Sequence, residues 1–132
     1  MLLRAAVFAG FCLQCSTAFS QGRFPVDVDW LAVALNGNAA PKDARPSLRI
    51  EAASGRAFGA TGCNRWTASL SRTDAELHFA PMAVTRRFCA GAAGDVERRF
   101  LAVLNADPRW RLERGGLVLE SPQGRLRFRR GG

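Results

Sequence analysis

The chain has 132 residues, 48 % of them hydrophobic and 23 % charged, with a formal net charge of +8. That length and balance suit one globular domain and exclude a disordered polymer and a multidomain enzyme. The charge is an arginine effect, 18 Arg and the single Lys42 against 11 acidic residues, and its first reading is nucleic-acid binding, which the address of the chain removes.

The opening residues carry Arg4 and then an uncharged run from Ala5 to Ser20. The apolar stretch from Ala5 to Leu13 has the length of a signal h-region and is too short to span a bilayer. Ala18 and Ser20 place small residues where a signal peptidase reads, predicting a leader over 1–20, cleavage before Gln21, and a single domain over 21–132 without a transmembrane segment. The alternative is a lipoprotein site at Cys15, for which Gln14 and Cys12 are poor flanking residues. An exported chain meets little nucleic acid, so anionic lipid or polysaccharide becomes the natural counter-charge for its arginines.

Stretches around Val26–Leu35, Leu48–Glu51, Arg56–Gly59, Asn64–Leu70 and Leu77–Phe79 read as strands, several with period-2 alternation. Export removes Cys12 and Cys15, leaving Cys63 and Cys89. Two cysteines in an oxidising compartment suggest one disulfide, which by closing a loop of about 26 residues stabilises the fold by roughly 3 kcal/mol. Two buried free thiols are the alternative, and one His is too few for a zinc site. After a Gly/Ala-rich loop at Ala90–Gly94, Val96, Phe100, Val103 and Leu104 recur at helical spacing. They predict one helix over about 95–105, with Asp95 at its cap and Glu97, Arg98 and Arg99 on its polar side.

From Trp110 onward two hairpins are predicted. A turn at Gly115-Gly116 pairs Leu112 with Leu119 and Arg111 with Glu120; a turn at Pro122-Gln123 pairs Leu119 with Leu126, Leu117 with Phe128, and Glu120 with Arg125. The inner face then collects Leu112, Leu117, Leu119, Leu126 and Phe128. The outer face carries Arg111, Arg125, Arg127 and Arg129 with Glu113 and Glu120. It reads either as an anion patch or as a solvated face laced by cross-strand ion pairs.

Trp30, Gly37, Gly59, the triplet Gly62-Cys63-Asn64, Thr85 with Cys89, Glu97 with Phe100, and Leu119, Gly124 and Phe128 occur in an order that resembles the META domain, also called HslJ-like. The chain departs from the family's pattern at Trp66, Ala68 and Leu70 and at Arg87-Phe88. The resemblance implies a mainly β fold, an antiparallel, barrel-like curled sheet of about seven to eight strands with one helix packed on it, in an exported protein associated with envelope stress. It implies neither a catalytic residue nor a cofactor, so those positions read as makers of the fold.

The residues themselves point the same way. His78, the only histidine, alternates with Leu77 and Phe79 and is expected at the surface. Ser69, Ser71 and Thr67 are the nearest candidate nucleophiles, and Asp27 with Asp29 and Asp74 with Glu76 the nearest carboxylate pairs. No GxSxG, HExxH or phosphate-cradling glycine loop occurs. The expectation is a non-catalytic monomer that binds an envelope protein or an anionic envelope component. A small-ligand carrier of lipocalin-like type, or an inhibitor of a secreted enzyme, is the alternative.

Overall fold

The computed structural model describes residues 22–131, so the expected leader with Cys12 and Cys15 lies outside the described residues. Nine strands, β1 (Trp30–Leu35), β2 (Asn38–Ala39), β3 (Ser47–Ile50), β4 (Arg56–Ala60), β5 (Arg65–Arg72), β6 (Leu77–Val84), β7 (Arg109–Glu113), β8 (Gly116–Ser121) and β9 (Gly124–Arg130), accompany one helix, α1 (Ala92–Leu104). Eight of them pair antiparallel in the order β6-β5-β4-β3-β1-β9-β8-β7, and β2 folds back on β1. The sheet curls so far that its two edges touch at one end. The Leu77 amide donates to the Pro108 carbonyl at 2.9 Å and the Trp110 amide to the Ala75 carbonyl at 3.1 Å. The result is a half-barrel, with α1 packed against β1, β8 and β9.

Alternation places the core. Trp30, Leu48, Ile50, Leu77, Phe79, Leu117, Leu119, Leu126 and Phe128 are all buried, as the period-2 pattern requires. From the helix, Val96, Phe100, Val103 and Leu104 complete it. An aromatic chain runs through the middle, with edge-on contacts from Phe79 to Trp66 at 5.8 Å, Trp66 to Phe100 at 6.0 Å and Phe100 to Phe128 at 6.4 Å.

Several elements differ from the sequence expectation, each for a local reason. β1 starts at Trp30 rather than Val26, because Asp27 takes a left-handed conformation with φ 58° that interrupts a strand. β6 continues past Pro81 to Val84, tolerated because β6 is an edge strand and needs no amide there. The helix begins at Ala92, one turn early, with Gly91 rather than Asp95 at its cap. Gly94 lies inside the helix because a Cβ there would overlap the Cys89 carbonyl oxygen.

The first C-terminal hairpin is two residues out of its expected register. Leu112 pairs with Leu117 and Trp110 with Leu119, so the turn is Arg114-Gly115, with φ 52° and 77°. Gly116 is already in the strand, where a Cβ would stand 2.7 Å from the Phe128 carbonyl. A shift of two preserves the faces, but it leaves Leu112 beside the turn of an edge strand and 46 % exposed. The second hairpin has the expected pairs, Leu119 with Leu126, Leu117 with Phe128 and Glu120 with Arg125.

Phe100 joins helix to both halves of the sheet and is fully buried. Phe100→Ala is therefore expected to lower the unfolding free energy by about 3–5 kcal/mol, measured by urea denaturation of the oxidised protein.

Candidate functional site

The densest polar cluster is built on the turn between β4 and β5. Gly62, at φ 97°, lets that turn pass close to the Ala44 carbonyl, where a Cβ would stand only 2.7 Å from the oxygen. Thr61, fully buried, closes the turn: its amide donates to the Asn64 carbonyl at 2.8 Å, and its hydroxyl oxygen accepts from the Asn64 amide at 2.7 Å. The Thr61 hydroxyl then donates to the Glu97 carboxylate at 2.5 Å.

Asn64 uses all four of its side-chain hydrogen-bonding positions. Its amide nitrogen donates to Glu97 at 2.8 Å and to the Arg87 carbonyl at 2.9 Å; its oxygen accepts from the Arg87 amide at 2.7 Å and from the Thr85 hydroxyl at 2.9 Å. Cys63 is bonded to Cys89 across the same junction. The β4–β5 turn is therefore locked to residues 85–89 and to α1, more than twenty residues further along the chain. Glu97 belongs to this junction and not to the solvated face of the helix; the arginine partner of that face is Asp95, bonded to Arg98. Thr61 carries as much of the cluster as Asn64, and its only sequence signal is a Thr three residues before an Asn.

The remaining positions that carry the resemblance lie in turns, close approaches and the core. Gly37 forms the β1–β2 turn with Asn36, at φ 82° and 50°. Gly59 faces the Ser47 carbonyl and Gly124 the Asn36 side chain, each too close for a Cβ. Trp30, Phe100, Leu119 and Phe128 fill the core.

The four arginines of the outer C-terminal face divide into two pairs. Arg111 bonds Glu120 at 3.0 Å and Glu113 at 3.2 Å, and Arg125 bonds Glu120 at 3.1 Å. The Arg111–Glu120 contact survives the register shift as a diagonal, because Arg109 now stands opposite Glu120. The hydrogen bond from Arg111, then that from Arg125, pulls the Glu120 carboxyl below its ordinary value. The bond to Glu120 also raises Arg111 against the opposing effect of burial. Arg127 and Arg129 project outward without a carboxylate among the described residues; Arg129 donates to the Arg130 carbonyl at 3.2 Å.

His78 is exposed and its Nδ1 lies 2.5 Å from Asp107 Oδ1. The register sets Ser71 opposite His78, but no hydrogen bond joins the serine hydroxyl to the ring. With side chains 58 % and 57 % exposed, His78 and Asp107 clasp the barrel seam rather than line an enclosed site. Among the described residues no group of three or more His, Cys, Asp or Glu could hold a metal ion, and no helix is long and apolar enough to cross a membrane.

The META domain family matches residues 25–131, nearly all of the described structure, and the chain belongs to that family. Two solved structures share its architecture. One is an NMR structure of a protein from Burkholderia xenovorans, 25 % identical, with a TM-score of 0.66 and coverage of 80 % of this chain and 83 % of that one. The other, also an NMR structure, is 19 % identical with a TM-score of 0.66 and coverage of 77 % and 87 %, a likeness of fold alone. No curated protein matches the chain.

The Arg111–Glu120–Arg125 row makes a pH-dependent contribution to stability. A carboxyl held below its ordinary value stabilises the fold above the unfolded-state pKa and loses that contribution as pH falls through the lower, folded-state one. At 38 % and 43 % side-chain exposure, solvent screening limits the row to about 0.5 kcal/mol. Glu120→Gln is thus expected to lower stability by about that amount at neutral pH. The difference from the unsubstituted protein should close in acid, as read from urea unfolding at both pH values.

Proposed function

We propose that the protein is an exported, non-catalytic and monomeric envelope domain, serving the envelope under stress, which works by binding a protein partner or an anionic lipid or polysaccharide. The observation that carries this reading is a division of labour among polar groups. Thr85, Asn64 and Glu97, with the Cys63–Cys89 bond, satisfy one another in a partly buried junction. By contrast Arg65, Arg86, Arg87, Arg109, Arg114 and Arg127 are exposed and make no ion pair among the described residues. Unpaired surface arginine is suited to phosphate and carboxylate recognition. A carrier of lipocalin type needs an open interior, and Trp30, Trp66 and Phe100 fill this one.

The test is a pull-down from envelope extract with tagged protein taken from the envelope fraction. Its first residue is read by mass spectrometry; Gln21 is expected, and a lipidated Cys15 marks the lipoprotein alternative. A bound component is expected at low salt. Loss at high salt identifies an anionic lipid or polysaccharide, and retention identifies a protein partner. Recovery of nothing beyond the tag control at either salt overturns the reading.

A further inference from the structure

The loop from Arg86 to Phe88 stands out from the rest of the surface. Phe88 is 88 % exposed, nearly twice the exposure of Leu112, the other exposed large hydrophobic residue among those described. Water is an unfavourable place for a phenyl ring, and a flexible loop would fold it away. This one is held from doing so. Arg87, immediately before it, has both its amide and its carbonyl bonded to Asn64, and Cys89, immediately after it, is bonded to Cys63. The backbone on each side of Phe88 is thus pinned to the β4–β5 turn, and the ring is presented outward by construction.

Its surroundings are basic. Arg86 and Arg87 are exposed and without ion pairs among the described residues, and beside them opens a cleft of about 460 Å³ lined by Arg45, Arg65 and Arg87, with Asp43 as its single carboxylate. Across Arg65 and Thr85 the cleft joins an apolar trough on the outer face of β4, β5 and β6, where Phe58, Ala60 and Ala83 occupy positions that alternation would fill with polar residues. A protein interface would gather several apolar anchors at its centre and leave charge to the rim. Here one aromatic tip rises directly from arginines, the arrangement that suits a headgroup layer with an apolar layer just beneath it.

We propose that this loop docks the protein on an anionic phospholipid bilayer, Phe88 entering the boundary between headgroups and acyl chains while Arg86, Arg87, Arg45 and Arg65 take the lipid phosphates. The inference rests on the binding role proposed above and names its partner. One aromatic ring and a few arginines give reversible attachment, each arginine near an anionic surface contributing about fivefold to partitioning.

Phe88→Trp provides the readout: Trp30, Trp66 and Trp110 are all buried, and their signal is subtracted with the unsubstituted protein as the reference. With vesicles of phosphatidylglycerol and phosphatidylcholine the new indole is expected to shift to the blue and to be quenched by brominated acyl chains. Neither change is expected with phosphatidylcholine alone. Adding R86A and R87A should weaken partitioning about 25-fold. No shift with anionic vesicles, an equal shift with neutral ones, or indifference to the two arginines overturns the proposal. Co-sedimentation with the same vesicles, comparing the unsubstituted protein with Phe88→Ser, tests the insertion without relying on the tryptophan variant; the serine variant is expected to stay in the supernatant, and equal sedimentation of the two overturns the role of the ring. If vesicles fail while the pull-down retains a protein at high salt, the bilayer is wrong and the binding role stands. If both fail, both fall.

Discussion

Glu97 carries a carboxylate from the helix into the sheet, and the rest of the molecule is arranged around what that carboxylate meets. Thr61 and Asn64 both donate to the same oxygen, at 2.5 and 2.8 Å. A carboxylate brought into a partly buried site is destabilising unless it is well bonded, so the turn that supplies those donors must be held in one shape. Gly62 gives the turn its left-handed step, Thr61 closes it, and the Cys63–Cys89 bond ties it to the segment that leads into the helix. Hydrophobic burial supplies most of the stability of such a domain; the polar junction decides where the helix sits on the half-barrel.

That junction also links the fold to its surface. Asn64 faces inward toward Glu97 and at the same time grips the backbone of Arg87, so the order of the core is passed directly to the loop that exposes Phe88. The arginines follow a similar logic. Those on the C-terminal hairpins that lie within reach of Glu113 and Glu120 are partly neutralised, while Arg65, Arg86 and Arg87, near Cys63 and Cys89, make no ion pair among the described residues, with Asp43 the single carboxylate of the cleft beside them. The basic excess is therefore unevenly available, part of it tied up by Glu113 and Glu120 and the rest left to solvent.

Much of this fold is legible in the sequence, and the exceptions have physical causes. The second C-terminal hairpin is readable because its inner leucines and outer charges alternate without interruption, so a slip of one would bury arginine. The first is not, because Gly115 and Gly116 look alike in sequence while one serves a turn and the other a close approach to Phe128. The helix face is clear from Val96, Phe100, Val103 and Leu104, yet the same periodicity assigns Glu97 to solvent. Its partners lie 33 and 36 residues earlier in the chain, beyond any local pattern. Thr61 and Asp107 escape the sequence for the same reason, being polar residues in turns whose roles depend on what the fold brings opposite them. Phe88 reads only as a departure from a family pattern, since exposure is a property of the folded loop.

If the Thr61 hydroxyl and the Glu97 carboxylate act as a coupled pair that fixes the helix on the sheet, their contributions to stability must be interdependent. A double-mutant cycle of Thr61→Val and Glu97→Ala, read by urea denaturation at neutral pH, measures that interdependence directly. The two losses are expected to be non-additive by about 1–2 kcal/mol, because either substitution alone removes the shared bond. Additivity to within about 0.5 kcal/mol would contradict the coupling.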